Sequence, residues 1–321
     1  MVTKRAQRWV RRGVTATIVL VVMILAAATW FTSEAIETDL LLVTGAASTA
    51  DPGDAGWIFT QVDVPGPLGN YPAWLVPPLA ESADDTWAIL VHDGDAGRDQ
   101  ALDLLPAFFE AGIGSMVISY RDDAVAPPTG GRHRALGADE WEDLEAAVVF
   151  ATEAGARDLV LVGYGSGGAM VLTFLRRSVH AEQVVGVIID SAYLDPGAMV
   201  DDRTAADNLP GFLSGWGKAL ATFRFGVDWA ILDQVAAAGE FSTPILLIHG
   251  DRDGTVPIRL ADAFAAALPD LVEFLRIEGA AHLGGFDAEP ELYAATVDRF
   301  IRRVAVGPSE RPDATPRPGQ D

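Results

Sequence analysis

The sequence predicts an α/β fold: a mostly parallel sheet covered by helices on both faces, behind one apolar amino-terminal helix. Short β-branched apolar runs recur at 87–91, 116–120, 159–162, 184–189, 245–248 and 272–277, the pattern of strands buried on both sides. Helical patterns separate most of them, which requires crossover connections and therefore parallel neighbours. With 321 residues, 50% of them hydrophobic, the chain is long enough for one large domain with additions and too apolar to be disordered.

Lys4, Arg5, Arg8, Arg11 and Arg12 make residues 1–12 a basic, cytoplasmic segment. The uncharged stretch 13–33 follows, close to the ~20 residues that a membrane-spanning helix needs. Glu34, Glu37 and Asp39 follow it, so the positive-inside tendency places the amino end in the cytoplasm and the rest outside. The expectation is a single-pass signal anchor in the cell membrane. Ala26, Ala27 and Ala28 keep the alternative open of secretion after cleavage near Ala28.

Residues 34–56 read as a tether. From 57 to 305 the chain reads as one domain. Strand-like content at 57–64 and 71–76, around a turn-rich 65–70, predicts an antiparallel hairpin. Amphipathic helices are expected over 99–111, 139–152, 258–268 and 291–304. Between about 191 and 240 the rhythm breaks, with Trp216, Phe223, Phe225 and Trp229 among Gly, Pro and Asp, and a small cap over the carboxyl edge of the sheet is expected. The proline-containing tail 306–321 has little apolar content and is expected to be disordered.

A formal charge of −22 argues against nucleic acid as a partner, because phosphate binding needs a basic footprint. The chain has no cysteine, which removes disulfides, a thiol nucleophile and cysteine metal sites. Its five histidines are scattered without ligand spacing, so no metal site and no cofactor are expected. Gly163, Gly165 and Gly168 formally match a dinucleotide-binding G-x-G-x-x-G with Asp190 downstream, but they lie far from the first strand–helix unit, where such a site belongs.

The stretch 159–170 is apolar, then glycine-rich around one serine, then helical, the pattern of a sharp strand-to-helix turn. Such a turn exposes one side chain and aims helix N–H groups at a reacting carbonyl. The frame is ambiguous by one residue. G-x-S-x-G would place glycine two residues before and two after Ser166, yet Tyr164 and Gly168 stand at those places. Read from Gly163, the frame is G-Y-G-S-G, with Gly165 at the central position and Ser166 after it. Gly165 at the centre would leave Ser166 to cap the helix; a backbone slip at Gly165 would leave it usable as a nucleophile.

Further marks occur in order: Tyr71-Pro72-Ala73-Trp74-Leu75-Val76-Pro77, Tyr120-Arg121-Asp122-Asp123, Gly137-Ala138-Asp139-Glu140-Trp141-Glu142-Asp143-Leu144, the turn itself, His249-Gly250-Asp251-Arg252-Asp253-Gly254-Thr255-Val256-Pro257, and Gly279-Ala280-Ala281-His282. From about Tyr71 to Val304 the chain resembles the α/β-hydrolases, and within them the membrane-associated serine-peptidase-like or esterase-like branch common in high-GC Gram-positive bacteria. The resemblance implies an α/β-hydrolase core, a serine, acid and histidine in that chain order, and hydrolysis of small-molecule esters, amides or peptides. It implies Ser166 as nucleophile, Asp253 as the acid that orients His282, and His282 as general base. His92, Asp93, Gly165 and Gly167 fall at the elbow and oxyanion positions. Asp93 stands where relatives usually have glycine, and Asp95 adds a second carboxylate, either of which would oppose a developing oxyanion if it pointed inward. A catalytically inactive, ligand-binding protein with Gly165 at the nucleophile position is the alternative.

Overall fold

The computed structural model describes residues 4–43, 47–78, 85–121, 123–130 and 133–305. The tail 306–321, expected to be disordered, lies outside the described residues. In chain order the strands are β1 (Thr60–Gly66), β2 (Gly69–Val76), β3 (Thr86–Val91), β4 (Gly114–Ile118), β5 (Asp158–Tyr164), β6 (Val184–Asp190), β7 (Ile245–Gly250) and β8 (Val272–Ile277). The α-helices are α1 (Lys4–Ile36), α2 (Leu105–Glu110), α3 (Trp141–Glu153), α4 (Ser166–Arg177), α5 (Pro196–Ala206), α6 (Phe212–Phe225), α7 (Trp229–Leu232), α8 (Ile258–Ala267), α9 (Gly285–Ala288) and α10 (Pro290–Ala305).

The strands form one sheet in the order β1-β2-β4-β3-β5-β6-β7-β8. β1 and β2 are the expected hairpin, and β2 also runs antiparallel to β4; every later pairing is parallel. Apolar residues on alternate sides of each strand feed two separate cores. Leu159 and Leu161 of β5 and Ile245 and Leu247 of β7 join the cluster that takes Leu144 and Val148 of α3, Phe174 of α4 and Phe264 of α8. Val160, Val162, Leu246 and Ile248 join the other, which takes Phe108 of α2 and Val297 and Phe300 of α10. Each central strand is therefore apolar throughout because it has no solvated face.

One helix departs from the expected shape. Over 99–111 the chain makes a 3-10 segment, Arg98–Leu104, before the short α2. Pro106 has no N–H to donate to the carbonyl of Leu102, and Leu105 N–H takes that carbonyl instead in the tighter geometry.

The apolar amino-terminal helix is longer than 13–33. α1 extends for 33 residues, about 50 Å, and runs into a π-helical turn at Glu37–Leu41. The stretch Gln7–Leu41 has a mean hydropathy of 2.3 in its most apolar window, long and apolar enough to cross a membrane. Within 34–56, read as a tether, Ile36 and Leu41 are buried, Leu42 forms an antiparallel bridge with His133, and Thr49 donates to Asp99. Between β6 and β7 the expected cap is the helical excursion α5, α6 and α7. The loops that leave the carboxyl ends of β3, β5, β7 and β8 converge at one edge of the sheet, where ligand sites of such sheets form.

Candidate active site

β5 ends at Tyr164, and the chain turns into α4 through Gly165, whose backbone lies at φ 52°, ψ −117°. That combination is forbidding for a residue with a side chain and open to glycine. Gly165 is thus the apex of the turn, and Ser166 is the first residue of the helix. The apex is held by its own backbone: Gly165 N–H donates to the carbonyl of Asp190, and its carbonyl accepts from Tyr193 N–H at 3.1 Å. Gly167 lies against the backbone of Val91, which brings the start of α4 onto the end of β3.

That approach sets Ser166 beside the loop after β3. Ser166 N–H donates to Asp93 Oδ1 at 2.7 Å and Ser166 Oγ to the same oxygen at 2.8 Å, while Gly94 N–H donates to Ser166 Oγ at 2.8 Å. Asp93 is 4% exposed, and a Cβ built on Gly165 would lie 2.6 Å from its Cγ. The carboxylate therefore covers the position from which a side chain at the apex would project. Of the two acids in this loop, Asp93 points inward. Asp95 pairs with Arg134, which also donates to the carbonyl of Leu42.

His92 is buried and turned to other partners. Its Nδ1 lies 2.7 Å from the carbonyl of Asp93, its Nε2 3.2 Å from Asp123, and its ring stacks on Tyr120. Tyr120 donates to the carbonyl of His92. A cavity of about 20 Å³, room for roughly one water, is lined by Ser166, Gly94, His92, Arg134 and Glu140.

The loops after β7 and β8 bring Asp253 and His282 together, with His282 Nδ1 2.8 Å from Asp253 Oδ2. The other oxygen of Asp253 accepts from the backbone N–H groups of Thr255 and Val256, so the carboxylate is fixed before it meets the imidazole. Burial pushes the Asp253 carboxyl up, but the bond and charge of His282 with those two N–H groups outweigh it and hold it below the usual value. Burial pushes His282 down, and Asp253, joined by the fields of Asp93 and Asp190, lifts it above the usual histidine range. Among the described residues His282 Nε2 is buried without a hydrogen-bond partner, so no hydrogen bond joins it to Ser166. His249 donates from Nε2 to the carbonyl of Val256 at 2.9 Å, and burial lowers its pKa.

Asp190 is the residue here whose role was not legible. It is 3% exposed, accepts from Tyr293 and Ser191, and is pushed up to about 6 by burial. Ser191 Oγ in turn accepts from Leu283 N–H, next to His282. Asp190 thus positions the histidine loop and offers no carboxylate to a nucleotide ribose. Its only sequence signal was an acid at the end of an apolar strand.

No protein-family model matches the chain, and no curated protein matches it. Solved structures do. An esterase of Pyrococcus furiosus superposes with a TM-score of 0.62 at 17% identity, over 83% of this chain and 99% of that one. An α/β serine hydrolase without lid from Xanthomonas campestris gives 0.53 at 16% identity, over 76% and 94%. A puromycin-hydrolyzing peptidase of Mycobacterium tuberculosis gives 0.55 at 21% identity, over 76% of this chain and 40% of that one.

The chain has the α/β-hydrolase fold.

In an α/β-hydrolase the nucleophile sits at the apex of the strand–turn–helix elbow, and the N–H of the next residue is one of the oxyanion donors. At those two stations this chain has Gly165 and the N–H of Ser166, and the N–H is already taken by Asp93. Asp253 and His282, on the loops that follow β7 and β8, are joined by a hydrogen bond.

Proposed function

We propose that this is a membrane-anchored α/β-hydrolase-fold protein whose cleft binds a small-molecule ester, amide or peptide without a working serine nucleophile. The observation that carries it is the pairing of Gly165 at the elbow apex with the Asp93 carboxylate lying over it. Ser166 begins about 3.8 Å further along the backbone, on a different vector. Its hydroxyl is engaged by Asp93 and Gly94, away from His282 Nε2. A carboxylate on the oxyanion N–H also opposes a developing negative charge there, where a hydrolase needs donors aimed at an oxyanion. The similarity to esterases and a peptidase supports the substrate class. The apolar stretch Gln7–Leu41, with basic residues ahead of it, supports a single-pass anchor with the domain outside the cytoplasm.

Serine hydrolysis by Ser166, His282 and Asp253 is the second possibility, favoured by the hydrogen-bonded Asp253–His282 pair and its free Nε2. It requires Asp93 to release Ser166 and the hydroxyl to swing toward the imidazole.

A fluorophosphonate probe with peptide mapping separates the two. The native chain and Gly165→Ser are expected to stay unlabelled, because the new side chain meets Asp93. The double variant Gly165→Ser/Asp93→Gly is expected to label at position 165, and to lose the label with His282→Ala. Labelling of the native chain at Ser166 that depends on His282 would overturn the proposal and establish the serine mechanism.

A further inference from the structure

The cap helix α6 carries a face that the described residues leave uncovered. Phe212, Trp216 and Phe223 fall on one side of it at helical spacing, together with Gly215 and Ala219, and all are exposed; Phe223 is 88% exposed. No charged residue lies on that side. The only charged residues of α6 turn the other way: Lys218 binds Asp201 and the carbonyl of Gly197, and Arg224 binds Ser33, Glu34 and Glu37. In a chain of net charge −22, an exposed helix face without one charge is not a solvated face.

Its neighbour says what covers it. α6 packs on the last turns of α1: Thr32 lies on Gly217, and Arg224 spans both helices, 4.2 Å from the Trp30 ring. Trp30 and Phe31 are themselves exposed at that end of α1. α6 thus lies beside the point where the apolar exterior of α1 gives way to acidic residues, the depth at which Trp and other amphipathic rings gather in a membrane interface, with its aromatic side turned away from α1.

We propose that α6 is a membrane-surface helix, its Phe212, Trp216 and Phe223 side seated in the headgroup and acyl boundary of the same bilayer that α1 spans. It rests on the anchor reading of α1. Because the surface is acidic overall, the contact is driven by apolar burial and needs no anionic lipid. The same end of α1 leads through Leu42, whose carbonyl accepts from Arg134, to the loop that carries Asp93 and Asp95.

The absence of cysteine makes the test direct. The full chain is reconstituted in phosphatidylcholine vesicles as three single variants, Val22→Cys, Phe223→Cys and Val179→Cys, each bearing an environment-sensitive dye. All three positions are exposed, and Val179 follows the carboxyl end of α4 at the opposite edge of the sheet. The expected result is loss of fluorescence on adding brominated acyl chains for positions 22 and 223 and none for 179. Quenching at 22 with 223 behaving like 179 would overturn the surface helix and leave the anchor standing. No quenching at 22 would remove the anchor itself and overturn the proposal with it, whatever position 223 shows. Disulfide self-crosslinking of the unlabelled Phe223→Cys chain, with no lipid quenching of the labelled one, would assign the face to a second copy of the chain and overturn the proposal.

Discussion

Asp93 and Ser166, far apart in the chain, meet through one carboxylate oxygen: Asp93 Oδ1 receives both the backbone N–H and the hydroxyl of Ser166, at 2.7 and 2.8 Å. The contact exists because the turn at Gly165 has no side chain. An aspartate at 93 and a glycine at 165 are therefore one structural unit: the carboxylate fills the space that the missing side chain leaves, and the elbow donors satisfy a charge that burial would otherwise make costly.

The stability of the elbow should show this dependence. Gly165→Ala places a side chain in a backbone region that costs about 1–3 kcal/mol, and drives it into Asp93 as well. In an Asp93→Gly background only the backbone cost remains. Apparent melting temperatures of the four chains in detergent are expected to give a coupling of about 0.5–3 kcal/mol, with the pair less costly than the sum of the single changes. Additive effects would mean that the two residues do not compete for one space.

The Asp253–His282 pair sets a pH window. Asp253 titrates below its ordinary 3.8, so its share of stability is present above that pH and is lost as pH falls through the lower folded value. His282 titrates above its ordinary 6.5, so its share is fully present below that pH and is lost as pH rises through the higher folded value. The pair therefore stabilises most between those limits. An NMR titration of the His282 ring should show a midpoint above 6.5 in the native chain and a lower one in Asp253→Asn. An unchanged midpoint would show that Asp253 does not hold the imidazolium.

Arg121 and Asp143 form a buried, two-pronged ion pair, with both contacts at 2.8 Å, and Arg121 N–H adds a third bond to the same carboxylate. It ties the loop after β4 to the first turn of α3. Asp143→Asn leaves the guanidinium buried beside a neutral amide and is expected to cost roughly 3–5 kcal/mol, read as a lowered melting temperature. Glu142→Gln, which touches the exposed side of the same arginine, should cost well under 1 kcal/mol.

Part of the architecture is readable in the sequence. Apolar runs such as 159–162 announce strands buried on both faces, because a two-sided core demands an apolar residue at every position. Asp253 and His282 were named by the resemblance, and the structure brings them within hydrogen-bond distance. Arg121 and Asp143 were visible as marks of resemblance, though not as a pair, since nothing local says that a residue after β4 will meet one in α3. The short 3-10 segment before α2 was hidden because helical periodicity is nearly the same in both geometries, and only the missing N–H of Pro106 separates them.

The frame of the elbow is where the two kinds of information part. The sequence alone determined that a strand would turn sharply into a helix within Gly163-Tyr164-Gly165-Ser166-Gly167, because that many glycines beside an apolar run leave few other conformations. It could not say which residue stands at the apex, since one residue of slip satisfies the same pattern. The tertiary structure decided it: β5 pairs with β6 up to Tyr164 and Asp190, Gly165 N–H continues that ladder, and the left-handed turn falls on the glycine that follows. The inward aim of Asp93 was decided the same way, by a close approach of β3 and α4 that no stretch of the chain specifies by itself.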